Sequence, residues 1–393
     1  MDIFDKCKNF TEAKKVIEAG VYPYFIPVSS GQDTRVTIDG KEMIMIGSNN
    51  YLGLTSHPEV KKAAIQAIEI YGSGCTGSRL LNGTLDIHVE LEEKLARFMH
   101  KESVLVFSSG FKTNLGAISA LINKGDFVIT DRSDHASIVD GCRLSFGKVL
   151  KFKHNDMADL KRVLSHIPHN SGKLIIVDGV FSMEGDIANL PEIVDLARKY
   201  NSRVMVDDAH SIGVLGKNGR GTAEHFDLEE EVDIIMGTFS KSFASIGGFI
   251  AASEEVIHYV KHFSRPFIFS ASPPPAAVAT VSKALDIIIS EPERRKHLWQ
   301  ITQKMMEGYR RLGFDIGHTQ TPIIPIVVGE NMKTFQFWRM LFDEGVFANT
   351  AISPAVPPGT ARIRTSYIAT HTDEQMNRVL EVFEKVGKKM GVI

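Results

Sequence analysis

The chain has 393 residues, 43% of them hydrophobic, enough to bury a large catalytic domain and a smaller companion. Its net charge of -2 carries none of the basic excess that nucleic acid or an anionic membrane selects. The three cysteines, Cys7, Cys75 and Cys142, form no CxxC or Cys/His cluster, which argues against a disulfide framework and against a metal site.

The opening MDIFDKCKNFTEAKKVIEAG alternates charged and apolar residues at helical spacing and lacks the apolar core and cleavage site of a signal peptide. No apolar run reaches membrane-spanning length, and the expectation is a cytoplasmic protein. A small hairpin, TRVTIDGKEMIMI, follows, turning at Asp39-Gly40. From Asn50 to about Ser253 short apolar runs alternate with longer amphipathic stretches, which predicts an α/β domain with a mostly parallel sheet. Its strands are expected at Ser103 to Phe107, Asp126 to Thr130, Val149 to Phe152, Leu174 to Val177, Arg203 to Val206, Asp233 to Met236 and Gly248 to Ala252. Leu85 to Phe98 spaces Leu85, Val89, Leu91, Leu95 and Phe98 along one face of a helix that would cover the sheet. Gly72 to Gly77 matches GxGxxG but follows a helical stretch, so a dinucleotide site lacks the strand it requires. The Pro273-Pro274-Pro275 run breaks regular structure; beyond it lie a helix-rich stretch, the strand-like PIIPIVVG at 322–329 and the alternating ARIRTSYIA. The predicted division is 1–48 for the helix and hairpin, 49–275 for the large domain and 276–393 for the small one.

The chemistry-bearing residues gather at strand ends. Strand-like VDIIMG runs into Thr238, Ser240, Lys241 and Ser242, where small hydroxylated residues leave room for a ring and a desolvated amine could attack an aldehyde. Alone, Lys241 would read as a solvated loop lysine. Arg203 to Val206 leads directly into Asp207, Asp208 and His210, and ligands of open parallel sheets bind at such carboxyl ends. Asp207 could hold a pyridine nitrogen protonated; considered alone it could equally cap a helix. Three further strand ends lead to Ser108-Ser109-Gly110-Phe111, whose amides could cradle phosphate, to His135, which could stack on a cofactor ring and sense a carboxylate, and to Ser182, which could reach a ring oxygen. Any one of these could be turn chemistry, but four polar strand ends share one predicted edge.

These residues carry a resemblance. TFSKSFASIG resembles the lysine signature of fold-type I pyridoxal phosphate enzymes of the class II aminotransferase group. SNNYLGL at 48–54, DHASIVDG at 134–141, DGVFSMEGD at 178–186 and VMVDDAHSIGVLG at 204–216 are similar to the alpha-oxoamine synthases, and the likeness runs from about Tyr22 to Gly391. It implies a central sheet with helices on both faces, a smaller C-terminal α+β domain, pyridoxal 5'-phosphate, and decarboxylating condensation of an amino acid with an acyl-CoA. By the same resemblance Lys241 is the Schiff base and general base, Asp207 the pyridinium partner, His135 the stacking residue and His210 a ring-oxygen contact. Thr238 and Ser240, with the amides of Gly110 and Phe111, match phosphate contacts. Ser270 matches a contact from the neighbouring subunit, which implies a homodimer with shared active sites. Arg364 and Asn50 match the contacts to the substrate carboxylate; apart from the resemblance, Arg364 reads as an edge-strand surface charge beside Arg362. GTFSKSFASIGG, SPAVPPG at 353–359 and GSRLLNGTLDIHVELE at 77–92 resemble the members that use L-serine and a long-chain acyl-CoA, although Ser353 stands where some carry arginine. The nearest rival uses glycine and acetyl-CoA, and the family's non-catalytic subunits lack the lysine that this chain has. A lipid product leaves peripheral attachment to the inner face of the membrane open.

Overall fold

The computed structural model describes residues 2–393. In chain order its strands are β1 (Arg35–Ile38), β2 (Lys41–Met45), β3 (Ser103–Phe107), β4 (Phe127–Asp131), β5 (Lys148–Phe152), β6 (Lys173–Asp178), β7 (Arg203–Asp207), β8 (Ile234–Thr238), β9 (Gly248–Ala252), β10 (Ile323–Gly329), β11 (Val346–Phe347), β12 (Asn349–Ala351) and β13 (Ala361–Ser366). Among the described residues no helix is long and apolar enough to cross a membrane.

Two compact units emerge: Asn49–His297, and Met1–Ser48 together with Leu298–Ile393. The division falls later than the proline run. Pro275 opens the helix Pro275–Ser290, as proline can at a first helical position, and that helix packs against Pro58–Tyr71 inside the larger unit. The opening segment, for its part, belongs with the C-terminal residues rather than standing alone.

The larger unit is built on seven strands in the order β3-β9-β8-β7-β6-β4-β5. β5, β4, β6, β7 and β8 pair in parallel, while β9 is antiparallel to both β8 and β3. The one reversed strand fits a mostly parallel sheet: only the loop Phe239 to Gly247 joins β8 to β9, and a parallel return needs a longer crossover. β6, β8 and β9 are buried along their whole length, as uninterrupted apolar runs should be when both sheet faces are covered. One layer of the core joins Leu105, Ile176, Met205 and Ile250 of the sheet to Ala117, Ile118 and Ile138 of the helices above it. The covering helix is Asp86–Met99, with Leu91, Leu95 and Phe98 inside, but Val89 is exposed and His88 takes the buried place. His88 Nδ1 accepts the Leu85 N–H at 3.0 Å while Nε2 lies 2.9 Å from the Pro273 carbonyl, so this imidazole closes the helix start. The GxGxxG segment begins at Gly72, the C-terminal cap of Pro58–Tyr71, and no strand precedes it.

In the smaller unit the Asp39-Gly40 turn joins β1 to β2, both residues at positive φ as the tight hairpin requires, and β11 pairs alongside β2. β13 is the central strand between β10 and β12, so Arg362 and Arg364, 8% and 6% exposed, are not edge-strand surface charges.

Candidate active site

The carboxyl ends of β3, β4, β6, β7 and β8 lie along one edge of the sheet, because those strands run in one direction. A cavity of about 330 Å³ opens there. It is lined by Ser109, Gly110 and Phe111 after β3, His135 after β4, Ser182 after β6, Asp207 and His210 at the end of β7, and Thr238, Ser240 and Lys241 at the end of β8. Residues spread over more than a hundred positions of sequence thus meet in one hollow.

Lys241 is placed by its neighbours. In Phe239-Ser240-Lys241-Ser242-Phe243 the two rings are each 1% exposed and meet edge to face at 5.4 Å, and Phe239 also stacks on Phe249 at 5.6 Å. Burying such a ring contributes about 1.5–3 kcal/mol, which fixes the loop between the lysine's flanks. The Phe239 N–H donates to the Gly247 carbonyl and the Ser245 N–H to the Phe239 carbonyl, both at 2.9 Å. Gly247 has φ 125, and a Cβ there would lie 2.7 Å from the Phe239 ring, so a larger residue could not close the loop this way.

Opposite ends of a phosphorylated ring make different demands, and the cavity meets each. Helix Gly110–Leu121 starts at its wall, capped by Ser109 Oγ, which accepts from the Lys112 N–H at 3.1 Å. Helix geometry leaves the Gly110 and Phe111 amides without partners in the preceding turn, an anion cradle. Thr238 Oγ1 lies 3.0 Å from Ser240 Oγ beside it. A Cβ at Gly110 would come within 2.5 Å of Thr238 Oγ1, so only glycine lets the helix start approach the end of β8 this closely. At the other wall stands the buried Asp207, its Oδ2 accepting from Asn114 Nδ2 at 2.7 Å and its Oδ1 from the Ala209 N–H at 3.0 Å. A phosphate cradle, a carboxylate for a ring nitrogen and an amine for an aldehyde form a donor set that fits pyridoxal phosphate.

The neighbouring Asp208 serves the scaffold instead. Its oxygens accept from the Thr222 hydroxyl at 2.6 Å and the Thr222 N–H at 3.0 Å, fully buried. Burial raises its pKa to about 6 against the pull of those hydrogen bonds. Burial lowers the pKa of His135, opposed by the Asp207 charge and aided by that of Lys241, so a neutral ring faces the cavity. Tyr51 Oη lies 2.7 Å from His210 Nδ1 and orients that imidazole.

Three expected residues are not part of this lining. Asn50 ties a turn, accepting from the Leu54 N–H at 3.0 Å and donating to Thr55 Oγ1 at 2.7 Å. Ser270 follows the short helix Arg265–Ile268, and Arg364 belongs to the smaller unit on β13. Sequence reasoning passed over Asp178, Asn114, Ser137 and Tyr51, which line the cavity or hold what does. An asparagine on the apolar face of GFKTNLGAISAL was a usable signal, because a buried amide needs partners.

The aminotransferase class I and II family model matches residues 41–383. Serine palmitoyltransferase of Sphingobacterium spiritivorum is 52% identical over 385 residues, 98% of this chain and 96% of that protein. The 8-amino-7-oxononanoate synthase of Thermoanaerobacter pseudethanolicus is 49% identical over 387 residues, 98% of this chain and 97% of its own. Among solved structures, serine palmitoyltransferase with PLP as internal aldimine superposes with a TM-score of 0.97 at 38% identity, covering 100% of both chains.

Proposed function

We propose that this chain, which belongs to the aminotransferase class I and II family and to its alpha-oxoamine synthase branch, is a pyridoxal phosphate-dependent acyltransferase that condenses L-serine with palmitoyl-CoA. The products are 3-ketosphinganine, free CoA and carbon dioxide. The observation that carries the chemistry is Lys241 facing the same cavity as Asp207 and the start of helix Gly110–Leu121. The choice of serine and a long acyl chain rests on full-length likeness to serine palmitoyltransferases.

When bound, pyridoxal phosphate supplies an aldehyde for amines and a pyridinium ring that accepts electron density from the amino acid's alpha carbon. Asp207 would keep the proton on the ring nitrogen, and the Asn114 amide holds its carboxylate in place. Ser109, the Gly110 and Phe111 amides, Thr238 and Ser240, which line the cavity, would hold the phosphate. His135 would lie against the ring, and Ser182 and His210 would contact the ring oxygen; all three line the cavity. Lys241 would anchor the group through its amine, and its Nζ would serve as the base for the alpha proton. Fixed donors aimed at developing charge stabilise the transition state without reorganising. The family resemblance gives Asn50 and Arg364 the substrate carboxylate, and gives Ser270 to the site of a second copy in a homodimer. A cytoplasmic enzyme, peripherally attached where its lipid product leaves, suits this reaction.

A second reading is another alpha-oxoamine synthase, favoured by 49% identity to an 8-amino-7-oxononanoate synthase; glycine acetyltransferase is the rival by motif. A CoA-release assay crossing serine, glycine and alanine with acetyl-CoA and palmitoyl-CoA decides. Serine with palmitoyl-CoA should turn over fastest; faster release with glycine and acetyl-CoA, or with alanine, overturns the assignment.

A further inference from the structure

Asn114 is fully buried within helix Gly110–Leu121, and its Nδ2 lies 2.7 Å from Asp207 Oδ2 and 2.8 Å from Ser137 Oγ. An ionised carboxylate only accepts, so the amide end that faces Asp207 is the NH2 group. Its second hydrogen goes to Ser137 Oγ. Having accepted that bond, the Ser137 hydroxyl turns its own hydrogen to His135 Nδ1 at 2.7 Å. The Ser137 backbone N–H donates to the same ring nitrogen at 3.3 Å. Two donors on Nδ1 leave it bare, and the proton of the neutral ring sits on Nε2. The His135 backbone is held independently, its N–H donating to Asp178 Oδ2 at 3.0 Å.

We propose that Asn114 and Ser137 are positioning residues that fix His135 as the Nε2–H tautomer and tie its ring to the same amide that orients Asp207. One chain of hydrogen bonds then links the partner of the ring nitrogen to the imidazole on the cavity wall. The Nε2–H is a donor suited to an amino acid's carboxylate, whereas the other tautomer would present a lone pair that repels it. Turning Asn114 would break both ends together, since a single nitrogen serves Asp207 and Ser137. The consequence for substrate rests on the function proposed above; the tautomer does not.

The test is 15N NMR of histidine rings in the cofactor-loaded protein, with the His135 signals assigned by their loss in His135→Gln. Wild type should show His135 hydrogen-bearing at Nε2 and bare at Nδ1. Ser137→Ala removes the shorter of the two donors to Nδ1 and leaves only the longer backbone N–H, so a share of the Nδ1–H form should appear and the KM for serine rise about tenfold, with kcat changed less than about threefold. Ser137→Thr, which keeps the hydroxyl, should restore the tautomer. A wild-type ring protonated at Nδ1, or an unaltered tautomer in Ser137→Ala, overturns the proposal. The wild-type spectrum decides even where a variant does not fold, and a wrong choice of substrate would disturb only the KM result.

Discussion

Asp178 and Asp207 are register partners at the ends of the adjacent parallel strands β6 and β7, so two carboxylates leave one sheet edge side by side. Burial first, then the charges of Asp207 and Asp134, raise the Asp178 carboxyl well above the usual range. Of the two neighbours, Asp178 is the one held towards its protonated form.

Asparagine should separate them. Asp207→Asn should lower kcat/KM by about 100-fold or more, and Asp178→Asn by less than about threefold, in steady-state CoA release. Stability should respond in the opposite sense. The folded pKa of Asp178 lies above the unfolded value of about 3.9, so wild type loses stability relative to the asparagine variant as pH rises past it. The Tm gain of Asp178→Asn should grow as pH rises from the unfolded value of about 3.9; a flat or shrinking difference contradicts the raised carboxyl.

Lys241→Ala should lose the visible absorbance of lysine-linked cofactor and lower turnover by about 100-fold or more. Its far-ultraviolet spectrum should be unchanged, because Phe239 and Phe243 anchor the loop without the lysine. A normal absorbance band in the variant would place the linkage elsewhere.

Gly110→Ala would drive a methyl group to within 2.5 Å of Thr238 Oγ1. Thr238 must shift, and with it the anion cradle, so cofactor affinity measured by equilibrium dialysis should fall about tenfold. Unaltered affinity would mean that the helix start does not hold the phosphate.

His154 lies 3.1 Å from both Asp131 and Asp186. Burial alone lowers its pKa, but the hydrogen bonds and charges of the two carboxylates outweigh it and raise the value to about 10. A raised histidine stabilises fully below its unfolded pKa of about 6.5 and loses that contribution as pH climbs through the folded value. His154→Gln should therefore cost most near pH 6, on the order of 1–3 kcal/mol after discounting for partial exposure, and least near pH 10. Thermal melts across that range check the trend; a cost that increases with pH would contradict the paired imidazole.

The sheet was legible because its inner strands β6, β8 and β9 are buried on both faces, and the predicted bounds of β3 and β9 match the structure residue for residue. The direction of β9 was not: apolar runs carry no sign of orientation, and only the short connection through Lys241 sets it. His88 was hidden because hydrophobic periodicity discounts a histidine that buries itself by pairing both nitrogens. Strand-end polarity revealed the cavity's wall, whereas Asn114 and Ser137 act from inside helices, where a small polar residue reads as filler. The later boundary at Leu298 is a matter of which unit a helix packs on, and helical spacing does not encode that.

Phe107 and Gly248 face each other across β3 and β9 although roughly 140 positions separate them in the chain. The antiparallel strand thereby makes the pocket a late product of synthesis. A nascent chain extruded as far as His210 already contains the cradle, the imidazoles and the aspartate, yet β3 is still without its sheet neighbour. A chain cut at His210 therefore holds most of the cavity's lining but neither Lys241 nor the strand that pairs with β3.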